Sequence, residues 1–427
     1  MDRYSIAYNL VILLAFIAHL PRFLYEYFVH SKYKNSLPFR LGLQMPNIHK
    51  KNGEKILWVH AVSLGETKSC SQLVQEIQKK HPEFTLILST VTETGHEEAK
   101  KIVGEDKAFY LPLDFSWTMK KLIDQIKPDL LVLVETDFWF HLFRYAKEAG
   151  AKILLVSGKI SKKSTKLYGF FPKFTHKLFS YIDLFCLQNN AYRIRFQTIG
   201  VDQSRIQVTG NLKYDQNMPL LPSKELEAWK EKMGIYEGDR VITIASTHAP
   251  EEKWLLEQMQ KVWQIESNLK ILLAPRHPER FFSVANLLRN ENIPFIALSK
   301  IHHKTSTERV ILVDSMGFLP ICYQLSELAI IGGSFQEKVG GHNVLEPNFY
   351  QTPVFFGPHM NTQTELRKMV LTAKSGKEVP LPEIADKVEE FLYDETQKDS
   401  MSHSAKTLVE SLKGRKKETY DAIKSFL

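Results

Sequence analysis

The chain has 427 residues, room for two or three domains, with 56 Lys and Arg against 48 Asp and Glu and a net charge of +8. Apolar residues make up 44% and charged residues 24%, which excludes a disordered chain, a collagen-like chain and a many-span membrane protein. The mild basic excess suits an anionic membrane surface, an anionic substrate or nucleic acid and does not choose among them.

Tyr4 to Pro21 carries no formal charge, and SIAYNLVILLAFIAHL within it is mostly apolar, with Asn9 and His19 as exceptions. A bilayer span needs about 20 apolar residues, so the run is marginal. The aromatic stretch RFLYEYF follows, opening with Arg22, and beyond it lie Lys32, Lys34 and Arg40, against Arg3 before the run. The length rules favour a membrane anchor or interfacial helix, and the positive-inside rule then puts the remaining chain in the cytoplasm. A cleaved signal peptide is the poorer alternative, because no A-x-A site follows. A buried core helix is the other alternative. Cys70, Cys186 and Cys322 are too few and too scattered for a disulfide framework or a zinc site, which favours a reducing compartment.

Short apolar runs then alternate with amphipathic stretches. Strands are expected at 56–62, 84–90, 108–113, 129–135 and 152–158, with helices over Glu66–Lys79 and Thr94–Val103. Pro219 and Pro222 interrupt the pattern in a polar setting. A second series begins at 241–246 and continues at 270–275, 294–298, 310–314, 328–333 and 353–357, before a polar helical tail over roughly 383–427. Strands separated by helices indicate parallel sheets covered on both faces. The expected architecture is α/β with two Rossmann-like doubly wound halves that meet near 212–223. Ligands of such folds bind at the carboxyl ends of the strands, here in a cleft facing both halves. No dinucleotide fingerprint and no Walker A loop is present, which weighs against a dehydrogenase and a P-loop enzyme.

Functional residue types concentrate at the predicted strand ends. In HAVSLGE (60–66), Glu66 falls in a first helical turn, where the dipole favours an ionised carboxylate. It reads as a general base or as ordinary dipole stabilisation. In VETDFW (134–139), Glu135 and Asp137 follow a strand, and one of them is a candidate helix cap. Lys213 in GNLKYD (210–215) suits a phosphate or carboxylate, or is a solvated hinge lysine. ASTHAPEE (245–252) offers Ser246, Thr247 and His248 as caps or ligand contacts. APRHPER (274–280) offers Arg276 for bidentate phosphate contact. In GGSFQEKVGGHNVLEP (332–347), two glycine pairs precede Asn343 and an expected helix start. Glycine backbone there would admit an anion, and Glu346 would accept ribose hydroxyls.

HAVSLGE, VETDFW, GNLKYD, ASTHAPEE, APRHPERF, DSMG and GGHNVLEP occur in that order across residues 60–347. Together they resemble the 3-deoxy-D-manno-octulosonate (Kdo) transferases of lipopolysaccharide synthesis. The resemblance implies a GT-B fold: an anchor at 1–30, an acceptor-binding domain at 31–216 and a CMP-Kdo domain at 217–427. It implies inverting transfer of Kdo from CMP-Kdo to the 6′-hydroxyl of the lipid A precursor lipid IVA, at the cytoplasmic face of the inner membrane. It implies no metal and no cofactor beyond the CMP-Kdo co-substrate, and the number of Kdo residues added stays open. Carried over by motif, Glu66 is the general base, and Glu135 and Lys213 stabilise the transition state. Pro275 and Arg276, then Met316, Gly317 and Phe318, then Asn343, Val344, Leu345 and Glu346 bind CMP. Three departures stand out. Ser157-Gly158-Lys159-Ile160-Ser161 replaces N-x-R-x-S, Phe318 replaces a glutamate, and no Pro-Asn follows Trp139. The alternatives are a GT-B enzyme with another donor or acceptor, and a non-catalytic nucleotide- or lipid-binding protein. Nucleic-acid binding is disfavoured, because the basic excess is diffuse and no recognised module is present.

Overall fold

The computed structural model describes residues 2–29, 33, 36–215, 218–303 and 307–427. Lys32 and Lys34, and the expected domain bounds at 30, 31, 216 and 217, lie outside the described residues. The chain forms two compact units, Met1–Gln216 with Leu412–Leu427, and Asn217–Ser411.

The first unit is built on seven parallel strands: β1 Lys55–His60, β2 Phe84–Thr90, β3 Ala108–Tyr110, β4 Leu130–Val134, β5 Lys152–Gly158, β6 Leu184–Leu187 and β7 Ile206–Val208. Their order is β3-β2-β1-β4-β5-β6-β7, a doubly wound sheet whose order reverses at β1 and β4. The apolar runs are unbroken because both faces are covered. In β1, Ile56 and Trp58 enter one core while Leu57 and Val59 enter the core on the opposite face. Each such side chain contributes about 1.5–3 kcal/mol by burial.

The second unit repeats the plan with β8 Arg240–Thr247, β9 Leu269–Pro275, β10 Phe295–Ala297, β11 Val310–Leu312, β12 Leu328–Ile331, β13 Val354–Phe356 and β14 Gly376–Glu378. Its order is β10-β11-β9-β8-β12-β13-β14, all parallel, reversing at β8 and β12. The expectation of two Rossmann-like sheets is met. Three strands that the apolar pattern did not disclose, β6, β7 and β14, are short and lie at or near sheet edges.

Two expectations change. The tail is helical over Ile384–Tyr393, Glu395–Leu412 and Arg415–Ile423, but its last part belongs to the first unit rather than to the second. The cause is apolar: Ile423 is fully buried in one cluster with Cys70, Leu73 and Leu212. The helix expected near Asn343 is only a single turn of 3-10 helix, Pro347–Tyr350. Pro347 opens it and Gln351, at φ +63°, ends it.

The helix Arg3–Val29 is long and apolar enough to cross a membrane, and Leu10, Val11, Leu14 and Ile17 are exposed on it. Its first turns dock on the first unit. Tyr8 packs on Phe140 and Phe174, and Asn9 exchanges two hydrogen bonds with Ser116 at 2.9 and 3.0 Å. Farther along, Phe23 stacks on Tyr33, whose N–H donates to Glu93.

Candidate active site

The strand-end motifs of the first unit gather at the reversal point of its sheet. Glu66 lies in the first turn of the helix Leu64–Lys80, directly after β1. Its Oε2 accepts the Val62 N–H at 2.6 Å, so the backbone fixes the carboxylate. Burial, and then the charge of Glu135, push the Glu66 carboxyl above the ordinary carboxylate range. The backbone contact secures the helix start, while the raised carboxyl runs against the ionised state that the helix dipole by itself favours.

Glu135 follows β4 and adopts φ +69°, a conformation costly for a non-glycine residue. It is 2% exposed and sits between two lysines, with Lys213 Nζ 2.6 Å from Oε1 and Lys159 Nζ 2.5 Å from Oε2. Burial alone would raise its carboxyl, but Lys213 and Lys159 outweigh burial and hold it below its ordinary range. Lys159, the lysine standing where the resembled family has arginine, thus has a definite partner. Asp137 caps nothing: the next helix, Phe140–Glu148, starts after Trp139 without a side-chain cap. Burial, with Glu66 and Glu135 close by, raises Asp137 to about 7. His60 is buried and pushed down to about 4 by desolvation. Its Nε2 accepts the Trp139 indole N–H at 3.2 Å, and its Nδ1 lies 2.8 Å from Ser89 Oγ, so it orients the end of VETDFW.

Lys213 rides on the 3-10 turn Leu212–Asp215. Leu212 is buried below it, and Asp215 Oδ1 accepts the Gly414 N–H at 2.7 Å. Gly210, at φ +84°, leaves room for the Arg415 side chain, which a Cβ would meet at 2.2 Å. A cavity of about 470 Å³ adjoins Lys159, lined also by Phe138, Ser161, Tyr168 and Tyr192.

In the second unit, three separate motifs line one cavity of about 360 Å³: Pro275 and Arg276; Met316, Gly317 and Phe318; Asn343 and Glu346. That volume is ordinary for a small-ligand site, roughly 300–1,000 Å³. Val344 and Leu345 are 0% and 1% exposed, and their side chains belong to the interior. Phe318 packs edge-on against Trp229 at 5.6 Å, so the ring in place of glutamate secures the Met316–Phe318 loop. Glu346 is raised by burial, which nearby Arg276 partly offsets. Arg280 of the same motif is engaged elsewhere, with Glu252 at 3.0 Å.

The glycine pairs do not act as expected. The N–H groups of Gly332, Gly333, Gly340 and Gly341 donate to Ala245, Glu251, Gln336 and Gly333 respectively, so none is free for an anion. They provide room instead. A Cβ on Gly332 would lie 2.7 Å from Thr247 Cα, and one on Gly341 would lie 2.4 Å from Met360 Sδ. Nor do Ser246, Thr247 or His248 cap the next helix, Glu251–Ile265, which starts after Pro250. Ser246 instead lines the cavity at φ +57°. His342 and Gln363 line it too. Gln363 carries no sequence signal, being outside every motif. Among the described residues, no three His, Cys, Asp or Glu side chains cluster as metal ligands.

The family model described as 3-deoxy-D-manno-octulosonic-acid transferase (kdotransferase) matches residues 35–216. The 3-deoxy-D-manno-octulosonic acid transferase of Chlamydophila psittaci is 35% identical over 377 residues, 87% of this chain and 85% of that protein. The protein of the same description from Haemophilus influenzae is 30% identical over 375 residues, 87% of each chain. Among solved structures, a glycosyltransferase from Rickettsia africae superposes with a TM-score of 0.58 at 16% identity, covering 88% of this chain and 99% of that one, a likeness of fold alone.

Proposed function

The chain belongs to the 3-deoxy-D-manno-octulosonic acid transferase family of lipopolysaccharide biosynthesis and has the GT-B fold, and on that premise we propose that it transfers Kdo from CMP-Kdo, with inversion, to the 6′-hydroxyl of the lipid A precursor lipid IVA. The observation that carries the donor reading is the convergence of three distant motifs on one cavity with Arg276 in its wall. A nucleotide phosphate is already a good leaving group, so the demand on the protein is charge stabilisation rather than a strong general acid. Arg276 meets the charge that develops on the phosphate as the sugar becomes oxocarbenium-like.

The acceptor hydroxyl is a poor nucleophile and needs a base. Glu66, with its raised carboxyl, takes that proton. One displacement with one base inverts the anomeric centre, whereas a double displacement through a carboxylate would retain it. Glu135, held ionised by Lys159 and Lys213, keeps those two ammonium groups in position. We propose that no metal takes part, so a chelator leaves the rate unchanged. The apolar helix Arg3–Val29 serves as an anchor or interfacial helix at the cytoplasmic face of the inner membrane.

The test is incubation of the chain with CMP-Kdo and a tetra-acylated lipid A precursor, following the lipid by mass spectrometry and CMP release. A Kdo-bearing lipid is expected, and folded protein that releases no CMP would overturn the reading. Glu66→Gln should lower kcat by about 10²–10⁴-fold, the usual size of a general-base contribution, while CMP affinity is kept. Near wild-type turnover in that variant would remove Glu66 from the base role.

A further inference from the structure

His248 and His342 meet where the strand order of the second sheet reverses. His248 directly follows β8, and His342 lies in the loop after β12. Their Nε2 atoms are 2.7 Å apart, the ring centroids are 5.0 Å apart and the ring planes lie within 15° of each other, so the two imidazoles meet end-on and nearly coplanar. Several features hold the pair in place. The His248 N–H donates to buried Glu251 at 3.0 Å, and Glu251 also accepts the Gly333 and Phe335 N–H groups. The Gly341 N–H reaches Gly333 O at 2.8 Å and brings the loop back over β12. A Cβ on Gly333 would stand 2.6 Å from His342 Cδ2 and 2.8 Å from Nε2, so glycine there makes room for the imidazole. His342 lines the same cavity as Arg276.

We propose that His342 is a catalytic residue whose ring N–H binds the phosphate of the sugar nucleotide, and that His248 is a positioning residue that shares with it one proton taken up as that phosphate binds. The proposal rests on the reading of this cavity as the donor site. Two neutral rings in Nε2 to Nε2 contact need one bridging proton, one ring donating and the other accepting. A third proton occupies the remaining ring nitrogen without breaking the bridge, so the pair can gain one positive charge without moving.

The groups facing the pair are Arg276, His277, Arg280, Glu251 and Glu252. Burial, with His248, Arg276 and His277 close by, holds His342 down at about 4, and burial with His277 lowers His248. An anion against Arg276 cancels that repulsion and favours proton uptake. As the anomeric C–O bond breaks, its electron pair passes to the phosphate oxygen, which the His342 N–H stabilises. The acceptor proton goes to Glu66, and the pair releases its extra proton when CMP leaves.

Calorimetric titration of the full chain with CMP at neutral pH, in buffers of different ionisation enthalpy, counts the protons taken up. Wild type should take up about one more proton per CMP than His342→Gln or His248→Ala, and cytidine should show no such difference. The kcat profile should fall at alkaline pH in wild type, because the protonated pair is required. His342→Gln should lose that limb and about 10²-fold in kcat. His248→Gln, which keeps a hydrogen bond to His342, should retain more activity than His248→Ala. Equal proton uptake and an unchanged alkaline limb in folded His342→Gln would overturn the proposal. A wild-type chain that does not turn over CMP-Kdo would overturn the donor reading and this proposal with it.

Discussion

Asp137 is the most perturbed carboxyl of the first unit's site. Burial and the charges of Glu66 and Glu135 raise it to about 7, with only Lys159 opposing. A folded-state value above the unfolded one means that the fold holds a proton the unfolded chain has released. Stability contributed at this position therefore falls as pH rises from roughly 4 to 7 and stays low above that. Asp137→Asn should stabilise the protein at pH 8 by on the order of 2 kcal/mol, less than the full shift would give because solvent reaches the side chain. At pH 4 the difference should vanish. Thermal melts at the two pH values check this, and an unchanged or lower melting temperature at pH 8 would refute it. Such stored strain is usual at functional sites. In the sequence Asp137 was visible as an acid at a strand end, but its burial was not. Glu66 was legible in its place, because a glutamate in a first helical turn reaches the backbone there, but not in its raised carboxyl, which burial and Glu135 cause against the helix dipole. The pairing of Lys159 with Glu135 was illegible, since the two residues follow different strands and only the sheet order makes them neighbours.

Elements read well from the sequence where burial is two-sided and poorly where it is set by distant partners. β1, β2, β4 and β5 are continuous apolar runs because helices cover both faces of the sheet. The helix Arg415–Ile423 gives no hint in its polar composition that it packs on the first unit. It is held there by Ile423 in the core, by Asp215 at its amino end, and by Lys416 Nζ 3.2 Å from Glu76. The same helix supports the turn that carries Lys213. Ile423→Ala should destabilise this packing by about 2–4 kcal/mol, the range for a fully buried isoleucine. Local opening should then become on the order of 10²-fold more frequent. Cys70 shares the cluster and is 1% exposed, so its labelling by a thiol reagent should accelerate accordingly. An unchanged labelling rate would show that the helix does not guard that core.

At the scale of the molecule, the charge of +8 and the exposed apolar helix together predict attachment to an anionic surface. The first unit adds to it: Leu167, Phe170 and Phe171 are exposed in a stretch that also carries Lys162, Lys163, Lys166 and Lys173. Apolar and basic groups contribute differently. Insertion of leucine and isoleucine side chains gains about 1.5–3 kcal/mol each and is nearly independent of salt. Lysine attraction to anionic headgroups is screened over a Debye length, about 10 Å at 0.1 M salt and 3 Å at 1 M. Sedimentation with vesicles containing anionic lipid should therefore separate the two. Binding of the full chain should weaken between 0.05 and 0.5 M salt without being abolished, by the same screening argument. Leu14→Asp with Ile17→Asp, both exposed positions, should lower binding at every salt concentration by about 10²-fold or more, since two insertions are lost. These substitutions should leave kcat on a detergent-dispersed acceptor unchanged, because the helix docks through Tyr8 and Asn9 rather than through these residues. Salt-independent binding would remove any role for the charge, and unaffected binding of the double variant would remove the helix as the attachment element.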